Sequence, residues 1–167
     1  MNIALTTDHA GFEALRQLQV WLEEQGHTCV NFGPTQLDLD DDYPDFMFAA
    51  AQAVSRGAFE RGIIMGGSGQ GEAMAANRFS NVRCALFYGP AVAKVAVDAE
   101  GHTNTDPYEI VRLSREHNNA NILSLSGRFL SMEEMQTAIK IWLETPFSNV
   151  ERHQRRIDKL SKRGSDK

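Results

Sequence analysis

Short apolar runs that alternate with segments of helical periodicity constrain this chain more than any other feature. Ile3–Thr7, Thr28–Phe32, Gly62–Met65, Val82–Tyr88 and Asn121–Ser126 read as strands. Gly11–Gln25, Tyr43–Arg56, Glu72–Phe79, Met132–Glu144 and Asn149–Lys162 read as helices. Strands separated by helices make βαβ units, and right-handed crossovers stack those units into a parallel sheet covered on both faces. The expected fold is α/β, a three-layer α/β/α Rossmann-like sandwich on a five-stranded parallel sheet. Such sheets bind ligands at the carboxyl ends of their strands. That rule directs attention to Thr6–Gly11, Gly66–Glu72, Tyr88 onward and Ser126–Arg128.

With 167 residues the chain suits one domain, expected over residues 1–162 with a tail at 163–167. Gly89–Pro107 interrupts the fourth βα unit and reads as an inserted loop or lid. Charge is uneven. Residues 151–167 hold seven Lys/Arg and three Asp/Glu, whereas residues 1–150 hold ten and nineteen. An acidic body is a poor match for general nucleic-acid binding. No run approaches the roughly 18 apolar residues of a membrane span, and the N-terminus lacks a signal-peptide pattern. Cys29 and Cys84 are far apart and read as reduced thiols, so a cytoplasmic protein is expected.

Four segments could carry chemistry. Gly66-Gly67-Ser68-Gly69-Gln70-Gly71-Glu72 falls between a strand and a helix, where glycines let the backbone approach a ligand and free amides stabilise an anion. It lacks the Gly-Lys-Ser/Thr ending of a Walker A loop and the spacing of a dinucleotide fingerprint. On local grounds Glu72 serves equally as a helix-dipole charge or as a catalytic carboxylate. Asp8-His9 follows the first strand. It reads either as an acid–base pair or as an N-cap and a turn residue. His117 and Asn118, in Arg115–Asn121, offer a proton donor or a plain helix C-terminus. Arg152 and Arg156 share one helix face and, with Arg128, could grip a phosphate; a solvated helix is the alternative. Leu37–Asp45 carries five aspartates and reads as a solvated loop capping the next helix; a metal site is the alternative, although the EF-hand spacing and glycine are missing.

Together these motifs resemble the ribose-5-phosphate isomerase B family, which includes the galactose-6-phosphate isomerase subunits. The marks in order are Asp8–Gly11, Asp42-Tyr43-Pro44, Gly66–Glu72 running into Ala75–Arg78, Arg115–Asn121, Gly127-Arg128 and Arg152–Arg156. The resemblance implies an enzyme that interconverts aldose and ketose phosphates through a cis-enediolate. It implies no metal and no cofactor, and a homodimer or homotetramer with active sites at the dimer interface. One branch of the family uses a cysteine at the end of the third strand as base; Gly66 stands there in this chain. The other branch has a glutamate after the glycine loop, the position of Glu72.

By the same resemblance, Ser68 and the amides of Gly69 and Gly71 hold the enediolate oxygen, and Gly67 is a further substrate-binding residue. Asp8 and His117 open the ring, Asn118 and Tyr43 contact the sugar, and His9, Arg128, Arg152 and Arg156 bind the phosphate. Ribose 5-phosphate is the first expectation. Another four- or six-carbon sugar phosphate is the alternative, because compact members lack the segment between Pro90 and Tyr108. A non-catalytic sugar-phosphate binder is the remaining reading.

Overall fold

A computed structural model describes residues 1–164. The strands are β1 (Asn2–Thr7), β2 (Thr28–Asn31), β3 (Arg61–Gly66), β4 (Cys84–Phe87) and β5 (Ile122–Ser126). They form one parallel sheet in the order β2-β1-β3-β5-β4. The helices are α1 (Phe12–Glu24), α2 (Tyr43–Ser55), α3 (Gln70–Ala76), α4 (Glu109–Glu116), α5 (Met132–Glu144) and α6 (Glu151–Gly164), with a 3₁₀ turn at His9–Gly11. Helix α6 continues two residues into the segment expected as a tail; 165–167 lie outside the described residues.

Strand alternation explains the layers. Ile3 and Leu5 of β1, Ile63 and Met65 of β3, and Leu123 and Leu125 of β5 point to one face. There they meet Leu15, Leu18 and Leu22 of α1, Val111 of α4, and Met135, Ala138, Ile139 and Trp142 of α5. Ala4, Ile64 and Ile122 point to the other face, against Met47, Ala50 and Val54 of α2 and Ala75 and Ala76 of α3. Small residues on that second face let α2 and α3 lie close to the sheet. The sheet is therefore buried on both sides, as its near-continuous apolar strands require.

The same alternation puts two serines of β5 on the α3 face, where each finds a carbonyl. Ser124 donates to Gly69 O at 2.7 Å, and Ser126 donates to Tyr88 O at 3.1 Å. Ser124 thereby ties the glycine loop to the central sheet. Backbone amides of Gly127 and Arg128 donate to the carbonyls of Gly66 and Gly67, at 2.8 and 3.1 Å, and complete the attachment. Among the described residues no helix is long and apolar enough to cross a membrane.

Candidate active site

The glycine loop is shaped by what packs against it. Gly69 has φ +73°, left-handed backbone that favours glycine. At Gly71 a Cβ would come within 2.7 Å of the Tyr43 ring, and at Gly67 within 3.2 Å of the Arg128 guanidinium carbon. Tyr43 and Arg128 thus flank the loop from α2 and from the end of β5. Ser68 Oγ accepts from the Gln70 amide at 3.3 Å, which leaves its hydroxyl proton free to donate.

Gly66 is the most telling position. A Cβ there would lie 1.8 Å from Glu72 Oε1 and 2.1 Å from its Cδ. The Glu72 carboxylate therefore fills the volume that a side chain at the end of β3 would take. A cysteine at 66 and a glutamate at 72 in this position exclude each other on sterics alone. Glu72 is 5 % exposed, and its Oε2 has no hydrogen-bond partner. Burial pushes its carboxyl above the usual range, and the nearby Asp8 carboxylate pushes the same way. A helix-dipole charge in water would show none of these features.

Asp8 is buried and accepts from the Ala10 amide at 2.9 Å, so it caps the 3₁₀ turn and also faces Glu72. The N-cap reading of Asp8 is thus met. His9 pairs through Nδ1 with Asp41 Oδ1 at 2.7 Å. That hydrogen bond raises the imidazole above its ordinary value, against desolvation and, to a smaller degree, the positive charge of Arg128. Asp41 corrects the expectation of a wholly solvated loop: its side chain is 6 % exposed and its Oδ2 is unpartnered. The aspartates also do not cap α2, since Asp42 occupies the N-cap without a side-chain bond. Asp8, His9 and Asp41 bring ligand atoms within 4.8 Å of one another, close enough to hold a cation. His9 Nδ1 is already engaged by Asp41, so the donor set reads first as an ion pair.

The other predicted residues lie elsewhere. Helix α4 returns the chain from the carboxyl end of β4 to the amino end of β5, and His117 is its C-cap. The turn that follows is held by two arginines. Buried Arg115 donates to Thr145 O, Asn119 Oδ1 and Ala120 O, and burial lowers its guanidinium to about 10. Arg83, just before β4, donates to Asn118 O and Asn119 O. His117 lies against His153 of α6, with ring centroids 4.1 Å apart and planes tilted by 38°. With Arg152, His153, Arg156 and Ala96–Ala99 it lines a cavity of about 290 Å³. Asn118 faces away, into an open groove of about 1020 Å³ beside α3 and the end of α6.

Asp8, His9, Tyr43, Ser68, Glu72 and Arg128 lie at the carboxyl ends of the strands. His117, Asn118, Arg152 and Arg156 do not. Those lie at the amino ends, beyond roughly 13 Å of β5 and the packed core.

A buried carboxylate on a glycine floor, with hydroxyl and amide donors beside it, suits proton transfer next to a carbonyl. The Ribose/Galactose Isomerase family model matches residues 3–106 and 103–160, two stretches that meet inside the inserted segment. The chain belongs to that family. It is similar to ribose-5-phosphate isomerase B of Mycolicibacterium paratuberculosis, 38% identical over 96% of this chain and 90% of that one. Its fold is similar to ribose-5-phosphate isomerase B of Clostridium thermocellum (TM-score 0.84, 30% identity, 99% of each chain). The Mycoplasma genitalium enzyme with bound ribulose-5-phosphate is equally similar (TM-score 0.84, 32% identity, 99% of this chain and 97% of that one). As a member of the Ribose/Galactose Isomerase family the chain is an isomerase.

Proposed function

We propose that the chain interconverts D-ribose 5-phosphate and D-ribulose 5-phosphate through a cis-enediolate, with Glu72 as the base. The buried, unpartnered carboxylate of Glu72 against Gly66 is the observation that supports this reading most. In the forward direction Glu72 takes the proton from C2 of the open aldose. The O2 hydroxyl proton passes to O1 in the enediolate, and the same group, now a carboxylic acid, returns the carbon-bound proton to C1. A carboxyl raised above its ordinary range by burial is better matched to both steps than one in water. Ser68 Oγ and the amides of Gly67, Gly69 and Gly71 stabilise charge on the enediolate oxygen. Asp8 acts on the sugar hydroxyls from the β1 side, and Tyr43 walls the pocket from α2.

A sugar phosphate cannot touch Glu72 and His117 of one chain, because the sheet separates them. Two copies that set the amino-end cluster of one against the carboxyl-end pocket of the other bring them together. In that arrangement His117 opens the ring. Arg152 and Arg156 share the phosphate with His9 and Arg128 of the other copy. Phosphate binding then positions the reacting carbons, which is how remote binding energy lowers a chemical barrier.

Turnover of D-ribose 5-phosphate followed by NMR, beside the Glu72→Gln variant, tests the chemistry. Rapid conversion that drops about 10³-fold in the variant, with inorganic phosphate still bound, is the expected result. Equal kcat in the two proteins removes Glu72 as base. No conversion of ribose 5-phosphate by the native chain removes the substrate and turns the search to four- and six-carbon phosphates.

A further inference from the structure

The inserted segment reaches the amino-end cluster. Its base is closed by the Ala91 amide donating to Pro107 O at 2.8 Å. Its tip is a built turn. The Val97 amide donates to His102 O at 2.8 Å, and Gly101 takes φ +87°. Asp98 Oδ1 accepts from the amides of Glu100 and His102, each at 3.0 Å, and Asp98 Oδ2 meets His102 Nδ1. These bonds fix where Glu100 stands. Its two carboxylate oxygens engage both terminal nitrogens of Arg152, Oε2 with Nη2 at 2.9 Å and Oε1 with Nη1.

The third side of Arg152 is also spoken for. Its Nε donates to His153 Nε2 at 3.3 Å. His153 Nδ1 lies 2.8 Å from Ser148 Oγ, which in turn donates to Glu116 O at 2.6 Å. This chain is consistent only with a neutral His153 carrying its proton on Nδ1. Burial, with the neighbouring His117, Arg152 and Arg156, holds His153 below its ordinary value, as that tautomer needs. His153 therefore orients the guanidinium, and Glu100 occupies the fork that it presents. A fork of two parallel N–H donors is the feature that recognises a phosphate.

We propose that Glu100 is a resident stand-in for the substrate's phosphate: it fills the Arg152 fork in the free enzyme, must be displaced on binding, and returns to help expel product. This inference rests on the reading of Arg152 as a phosphate ligand. The contact is suited to exchange, since Glu100 is 50% and Arg152 28% exposed, and pairs in water hold weakly. A phosphate monoester brings up to two charges against one, and Arg156 beside it has no ion-pair partner among the described residues. Affinity is then reduced by the fraction of molecules in which the fork is open. The insertion thus tunes a site whose catalytic residues lie outside it.

The experiment compares native enzyme with Glu100→Gln, Arg152→Ala and the double variant. It reads kcat, KM for ribose 5-phosphate, and calorimetric affinity for inorganic phosphate, which needs no turnover. Glu100→Gln is expected to lower KM and tighten phosphate about two- to fivefold with no rise in kcat. The double variant is expected to match Arg152→Ala, because the two residues act as one unit. If Glu100→Gln raises KM or leaves both constants unchanged while Arg152→Ala weakens both, Glu100 does not compete and the inference is overturned. If Arg152→Ala leaves both constants unchanged, the phosphate role of Arg152 fails first, and the inference with it.

Discussion

At the carboxyl ends of the strands the chain buries two carboxylates, and at the amino ends it leaves Arg152 and Arg156 within reach of water. Glu72 and Asp8 are each 5% exposed, packed on a glycine loop that β5 pins in place. Arg156 and Asn118 are exposed, and Arg152 and His117 are half-buried on a helix and a turn at the rim. The two environments suit different tasks. A general base gains from desolvation, which raises its pKa and holds one geometry. Residues that must capture a phosphate and close on another copy of the chain need to be reachable. On the reading proposed above neither half is an active site alone. The buried half would supply the base and the oxyanion pocket, and the exposed half His117 and two arginines.

The sharpest way to break this comparison is to kill each half separately and mix the products. Glu72→Gln and His117→Asn homodimers are both expected to lose at least about 10²-fold in kcat. In a co-expressed mixture, half the dimers pair one of each. Each such dimer rebuilds one intact site from the unmodified Glu72 of one copy and His117 of the other. About a quarter of native activity is expected to return, by the symmetry of a two-fold interface. Activity that stays at the level of the variants places both residues of a working site in one chain, and the shared site falls.

Gly66→Ala tests the buried half through sterics rather than chemistry. One methyl group would lie 1.8 Å from Glu72 Oε1, so the carboxylate must leave its place. A loss of about 10²-fold in kcat is expected, with phosphate affinity unchanged because the arginines are untouched. A smaller loss means that the loop yields and the base is less rigidly held than its packing implies. The acid limb of the native kcat profile sharpens the same point. Glu72 acts ionised, and burial raises its pKa, so activity is expected to fall with decreasing pH above the ordinary carboxylate range. A limb at the ordinary position indicates a solvated base.

The fold was legible because its strands are nearly unbroken apolar runs. Ile3-Ala4-Leu5 and Ile63-Ile64-Met65 can satisfy both faces only inside a covered parallel sheet. The glycine loop and Glu72 were legible because they directly follow β3. The opposite placement of His117 and Asn118 follows from a simple rule. In a βαβ unit the helix carries the chain back to the amino end, so His117 and Asn118, between α4 and β5, had to lie opposite Glu72. Asp41 left no signal, since only burial separates it from the four other aspartates of its loop. Glu100 left none either: it sits in a loop without periodicity, 52 residues from its partner.

The smallest expected effect concerns Asp41, the one charge of its loop that joins the buried half. Asp41 holds His9 above its ordinary pKa, mainly through the 2.7 Å hydrogen bond to Nδ1. A protonated His9 is the form that attracts a phosphate, so affinity falls as pH rises through the His9 pKa. Asp41→Asn removes the charge and lowers that pKa, which moves the fall in affinity to lower pH. At pH 7.5 the expected result is a rise in KM of about threefold with kcat nearly unchanged, shrinking toward none below pH 6. The variant also removes the charge from a buried side chain with an unpartnered oxygen, so thermal stability is not expected to collapse. A KM increase that is the same at every pH assigns Asp41 to the shape of the loop. A pH-dependent one makes it the positioning residue for His9, and extends the buried half of the site by one charge.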